Sequence, residues 1–206
     1  MNFCNLKKIR LRFYFLLLLS VTLLIIPCDA QNRSESDQSR EYKIKAAFLY
    51  NFIKFVDWPK EKSSDQNEPI IIGIIGKDPF GDVFDPITKK QIKGRYGLIS
   101  RFESLEKLKK SSETDKTKIE SLRKCHLLFI CSSEKEHMTD IINFVDKHGV
   151  LTVSEIPNML KSGGMINFIL EENKVSFEVN LAAAKDNNLK IRSQLLRLAK
   201  RVVEEK

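Results

Sequence analysis

The sequence is poor in the residues that carry metal and redox chemistry. It has three histidines, four cysteines and one tryptophan in 206 residues. His126, His137 and His148 fall on a strand start, a helix and a helix end. A zinc site needs closer spacing and further ligands, so no metal site is expected. Gly73, Gly76 and Gly81 follow a strand, but their spacing is not GxGxxG, and no Walker lysine-serine/threonine pair is present. Tight strand-to-helix packing explains these glycines better than a nucleotide does. No serine sits in a nucleophile elbow and no carboxylate pair stands out. Cys125 and His126 are adjacent on a strand and point to opposite faces, which rules out a dyad. No catalytic residues and no cofactor are expected. The formal charge of +8 is not gathered into an arginine stripe with interleaved aromatics, which argues against nucleic acid.

Long hydrophobic runs are also scarce, and the longest stands at the start. Lys7, Lys8, Arg10 and Arg12 precede an apolar run from Phe13 to Ile26, followed by "PCDAQ". Cys28 and Ala30 are small residues at the −3 and −1 positions of a cut after Ala30. This is the layout of a secretory signal peptide over residues 1–30. The run is shorter than the ~18 residues of a membrane span. Ile25-Ile26-Pro27 before Cys28 is not the small pair of a lipobox. Removing four bases and Asp29 leaves a charge of about +5, a mildly basic balance suited to an acidic surface. The expected location is outside the cytoplasm.

Two cysteines remain after such a cut, Cys125 and Cys131, in a compartment that permits a disulfide. "CHLLFIC" reads as a strand whose ends lie about 20 Å apart. A disulfide needs Cα atoms about 4.4–6.8 Å apart. Only a turn just before Cys131 would allow the pair.

What remains is rich in apolar segments. Residues 31–40 are polar and read as a disordered leader. "YKIKAAFLYNFIKFVDWP" follows as a helix, ended by Pro59. "IIIGIIG" is a continuous β-branched run, a buried strand. Asp78 and Pro79 suit the cap and first turn of a helix. "GRYGLISRF" suggests a short strand, and Lys107–Lys118 an exposed charged stretch. "HLLFIC" is the next buried strand, and Ser133 would cap a helix from Glu134 to Lys147. "VLTVS" is another strand. "MINFILEENKVSFEVN" is a hairpin turning at Glu171–Lys174. Gly163-Gly164 makes a turn into it, and Asn180 caps "LAAAK". Leu195, Leu198, Ala199 and Val202 give the tail a helical spacing. The expected fold is α/β: a single layered domain with a mixed, mostly parallel sheet, a C-terminal antiparallel hairpin and flanking helices.

On the opening helix, Lys43, Asn51, Lys54 and Asp57 share a wet arc at 100° per residue. Lys45 sits in the middle of the apolar arc. Either it snorkels past the helix end, or it meets a carboxylate or ligand. Glu178 and Asp78 are the carboxylates on offer. Trp58, at the helix exit, is the aromatic that would face a partner if any does.

These segments, with "IGIIGKDPFG", "CHLLFICSSE", "GGMINFILEENKVSFEVNLAAAK" and "LKIRSQLLRLAKRV", resemble the YfiR-like family, formerly a domain of unknown function, over residues 41–203. The pairing of the K-A-A-F-L-Y-N-F helix with the G-G-M-I-N-F hairpin carries most of the likeness. The resemblance implies an exported, non-enzymatic repressor located in the periplasm. Its target would be the periplasmic portion of an inner-membrane signalling protein, a diguanylate cyclase or similar sensor, with lower cyclic-di-GMP as the output. An outer-membrane-linked lipoprotein and a homodimer are further partners it implies. Contact residues are expected among Lys45, Asn51, Phe55, Trp58, Lys77 and Glu178. The rival expectation is a small-anion binder feeding a membrane receptor, with Lys45 and the Gly76–Gly81 turn as its site. A cryptic enzyme is the third.

Overall fold

The computed structural model describes residues 29–63, 67–84, 91–110 and 113–204. The signal-peptide reading of 1–30 lies almost wholly outside them. The elements in chain order are α1 (Asp29–Phe55), β1 (Val56–Asp57), α2 (Lys60–Ser63), β2 (Ile70–Ile75), a 3₁₀ turn (Gly81–Phe84), β3 (Gln91–Ile92) and β4 (Arg95–Phe102). There follow α3 (Leu105–Lys110), α4 (Glu113–Lys124), β5 (Leu127–Ile130), a 3₁₀ turn (Ser132–His137), α5 (Met138–Val145) and β6 (Leu151–Ser154). The chain closes with β7 (Ile166–Glu171), β8 (Lys174–Asn180), α6 (Leu181–Asp186), β9 (Lys190–Ile191), α7 (Ser193–Leu196) and β10 (Arg201–Val203). No helix among the described residues is long and apolar enough to cross a membrane.

The main sheet runs β10-β8-β7-β6-β5-β2-β4-β3. β2 pairs in parallel with β4 and β5, β5 with β6, β6 with β7, and β10 with β8. The hairpins β7/β8 and β3/β4 are antiparallel. A separate pair, β1/β9, ties the exit of α1 to the C-terminal region. The continuous apolar runs follow from burial on both faces. Along β5, Leu127 and Phe129 pack with Leu49, Phe52 and Ile53 of α1, while Leu128 and Ile130 pack with Leu105, Leu122 and Ile141 of α3, α4 and α5. Phe52 lies 5.6 Å from Phe168 and 5.0 Å from Phe177, which locks α1 to the β7/β8 hairpin. Burying one such ring contributes about 1.5–3 kcal/mol.

Two hairpin turns come from local chemistry. Glu172 and Asn173 both have positive φ, as do Lys93 and Gly94. These two-residue loops match the twist of their strands.

Several expectations need correction. The backbone is helical from Asp29, so the polar leader continues α1; Gln, Arg and Glu favour helix without an apolar face. Asp78 does not open an α-helix: its carboxylate accepts from Phe80 N at 2.7 Å, and a short 3₁₀ turn follows. The charged stretch Lys107–Lys118 is exposed at its described lysines, as expected, but its described residues belong to α3 and α4, for which Leu105, Leu108 and Leu122 supply buried anchors. Ser133 caps nothing; its segment is 3₁₀, and the α-helix starts only at Met138. The tail is not one amphipathic helix. It breaks after α7 and becomes β10, because the free edge of β8 offers backbone pairing to the β-branched Val202 and Val203.

Candidate functional site

The parallel strands β2, β4, β5, β6 and β7 lie in the spatial order β4-β2-β5-β6-β7. The order reverses between β2 and β5, and doubly wound sheets bind ligands beyond the carboxyl ends of such strands. Here that position is filled by the protein itself. Lys77 N donates to Ser133 Oγ at 2.9 Å, and Cys131 N to Ile75 O at 3.1 Å. A Cβ on Gly76, whose φ is +97°, would come within 2.4 Å of Ser133 Oγ. Buried Glu134 turns its carboxylate onto Leu105 N at 3.0 Å. Arg101 crosses the mouth to Asp78 and the carbonyl of Gly81.

Lys45 lies at this same end. It is 3 % exposed and pairs with Glu155, just past β6, and with Glu41 one turn back on α1. Tyr42 and Ser132 donate their hydroxyls to Glu155 Oε1 at 2.9 and 2.7 Å. Burial pushes the Glu155 carboxyl up, but the hydrogen bonds from Lys45, Ser132 and Tyr42 outweigh it and hold the group below its ordinary value. The Tyr42 hydroxyl is raised by burial and by the Glu155 charge. Lys45 therefore has its carboxylates, and they are neither of those offered by the sequence. Asp78 is held by Arg101, and Glu178 by Arg201 at 2.7 Å. Snorkelling past the helix start fails because α1 begins at Asp29, sixteen residues before Lys45, leaving no nearby end to pass. With two carboxylates against one ammonium, Lys45 is not an anion receptor.

The opposite end of the strands is open. A hollow of about 260 Å³ lies at the amino ends of β2 and β5, between Trp58, Asp57, Lys93, Arg95, His126 and Arg192. β1 and β9 bring Asp57 to Arg192, which grips it at 3.0 and 2.7 Å; Lys93 joins at 3.1 Å. The Arg192 hydrogen bonds, chiefly, hold the Asp57 carboxyl below its usual range. Arg95 is buried and donates to the carbonyls of Glu68, Lys62 and Pro69. His126 Nδ1 accepts from Ile71 N at 3.1 Å, so its proton sits on Nε2, 3.2 Å from Lys62 O. Burial lowers His126 to about 4 and Lys62 to about 8. His126 is therefore neutral near pH 7. The indole N–H of Trp58 donates to His126 O at 3.0 Å, and Lys93 stands 5.3 Å over its ring. Among the described residues three cations and one carboxylate line the hollow beside an aromatic wall, which suits an acidic group from outside.

The six expected contact residues are not brought together. Lys45 and exposed Lys77 lie at the carboxyl end of the sheet, Phe55 and Trp58 at the amino end, and Glu178 on β8 toward the β10 edge; Asn51 stays half-buried on α1. Only Trp58 lines the open hollow. Sequence reasoning missed Glu155, Arg95, Lys93, Arg192 and the role of His126. Glu155 alone had a legible signal, its place just past a parallel strand. Cys125 and Cys131 are free, buried thiols in the two different cores, one on each face of the sheet. Burial raises the Cys125 thiol to about 12, so it is not a ready nucleophile.

Comparison with solved structures gives a conserved domain protein from Vibrio cholerae O1 biovar El Tor at 8 % identity and a TM-score of 0.45. The match covers 65 % of this chain and 54 % of the other, so the chain spans about half the length of that relative. No curated protein matches. The YfiR/HmsC-like family matches residues 42–200, from Tyr42 of α1 to Lys200 just before β10. The chain belongs to the YfiR/HmsC-like family.

Proposed function

We propose that this chain is an exported regulatory protein that binds the periplasmic module of a membrane signalling enzyme, a diguanylate cyclase or similar sensor, and represses it. Membership of the YfiR/HmsC-like family across most of the chain carries this reading. That family is regulatory rather than catalytic. The geometry agrees with a role in contact: the switch-point crevice is filled, and the hollow at Trp58 is positive and aromatic. An acidic side chain of the partner enters beside Trp58, attracted by Lys93, Arg95 and Arg192. Repression follows from binding one conformation of the partner more tightly than the other. A bias of about 1.4 kcal/mol changes the ratio tenfold. An outer-membrane-linked lipoprotein that sequesters the chain, and a homodimer, complete the proposed set of partners.

The test is capture from detergent-solubilised membranes with the tagged chain, together with cyclic-di-GMP measured in a deletion strain. A cyclase or kinase is retained, and the second messenger rises on deletion. Retention of no membrane enzyme, with unchanged cyclic-di-GMP, overturns the reading. Fractionation tests the compartment: recovery in the cytosol with residues 1–30 intact defeats export.

A further inference from the structure

A second hollow, about 500 Å³, lies between the turn after Met159, the start of α6 and strand β10. Its place follows from the pleat. Val179 and Phe177 of β8 face the core under α1, so Glu178 and Asn180 face the other side. In register, Arg201 stands opposite Glu178 and Val203 opposite Asn180. Arg201 and Val203 therefore share that side.

The wall is apolar and fixed. Leu160, Ala183 and Val203 line it, with Gly163 opening the turn. Asn180 braces it, donating to Leu160 O at 3.1 Å and accepting from Ala183 N at 3.0 Å, so its amide is satisfied. The charge is of one sign. Lys161 and Arg201 line the hollow, and no carboxylate does among the described residues. Arg201 reaches Glu178 through Nε alone, which leaves its terminal nitrogens to donate. Lys161 has no acidic partner among the described residues.

We propose that this hollow binds an amphiphilic monoanion: a carboxylate held by Lys161 and Arg201, on a short apolar body lying against Leu160, Ala183 and Val203. The volume falls in the range of small-molecule sites, and an apolar wall with a few convergent polar groups is their usual make-up. Lys161, without an acidic partner among the described residues, and the free terminal nitrogens of Arg201, beside a braced apolar wall, set this hollow apart from the one at Trp58, where one carboxylate binds both Arg192 and Lys93. The site rests on the fold and its side chains and is independent of the repressor reading; its failure leaves that reading untouched.

The experiment is titration of the ¹⁵N-labelled chain with octanoate, with octylammonium as the control of opposite charge. Octanoate shifts the amides of Lys161, Gly163, Asn180 and Val203 saturably; octylammonium does not. The double variant Lys161→Gln/Arg201→Gln weakens octanoate by about tenfold or more, equivalent to ~1.4 kcal/mol. Val203→Trp, at a half-exposed strand position, fills the hollow and abolishes the shifts while the remaining spectrum is kept. No saturable shift at millimolar octanoate overturns the proposal. So do shifts centred on Trp58 and His126, equal response to octylammonium, or undiminished binding in both variants.

Discussion

Lys45 and Glu155 stand 110 residues apart in the chain and close a buried ion pair that ties α1 to the end of β6. The two partners are not equally supported. If Lys45 is lost, Glu155 keeps hydroxyl donors from Tyr42 and Ser132 but faces Glu41 with no cation between them, whereas if Glu155 is lost, Lys45 keeps its ion pair with Glu41 and the Tyr42 ring. Breaking a buried pair from one side costs about 3–5 kcal/mol, and replacing both members by apolar residues is far milder. Lys45→Met is expected at about 3 kcal/mol, Glu155→Leu at about half that because the Lys45–Glu41 pair survives, and the double variant below the sum. Urea unfolding of the three variants measures this. Additive losses contradict the pair.

His126 gives stability a pH dependence in a defined window. The folded chain takes up its proton only near pH 4, whereas the unfolded chain takes it up near 6.5. Between these values the unfolded state binds more protons, so stability falls as pH drops from about 6.5 to about 4. The full loss is about 3 kcal/mol, before the carboxylates Asp57 and Glu155 add theirs at lower pH. Lys62 acts at the other end: its folded value near 8 lies below the unfolded 10.5, so stability rises with pH between them. Denaturation midpoints from pH 7 to 4.5 are expected to slope in the wild type and to flatten in His126→Gln. An equal slope in both rules out His126 as the source.

The C-terminal tail separates two structures that share one sequence pattern. In a single amphipathic helix, Leu195 and Leu198 would both be core. Here Leu195 is fully buried and Leu198 is 64 % exposed. Leu195→Ala is therefore expected to cost about 2–5 kcal/mol and Leu198→Ala under about 0.5 kcal/mol. Thermal or urea unfolding of the pair decides it, and comparable losses would restore the helix.

The same tail shows what a sequence makes legible. Ile70–Ile75 and Leu127–Ile130 were readable because burial on both faces writes an unbroken apolar run. The β7/β8 hairpin was readable because its turn residues are local. β10 was not, since three residues chose a strand only because β8 had an unpaired edge, which is a tertiary fact. Helices α3 and α4 were hidden by lysines on their outer faces, although Leu105, Leu108 and Leu122 held the pattern. The site divides in the same way. Lys45 stood out as a charge on an apolar face, but its partner lay beyond any local window. The hollow at Trp58 is assembled from Asp57, Lys93, Arg95, His126 and Arg192, five positions with no common motif.

Asp57 is the one carboxylate lining that hollow among the described residues, and it holds two cations at once. Its side chain is more than a third exposed, so its ion pairs contribute little to stability: Asp57→Asn is expected to shift the urea midpoint by less than about 1 kcal/mol equivalent. Its effect on docking is larger, because the substitution releases Arg192 and Lys93 and adds one positive charge to the hollow. If an acidic group enters beside Trp58, Asp57→Asn strengthens capture of the membrane partner and steepens its loss with salt. Lys93→Gln/Arg192→Gln weakens capture and flattens that dependence. Retention measured at low and high salt for the two variants reads both effects. Unchanged retention in both, with the fold intact, places the partner's docking surface elsewhere on the molecule.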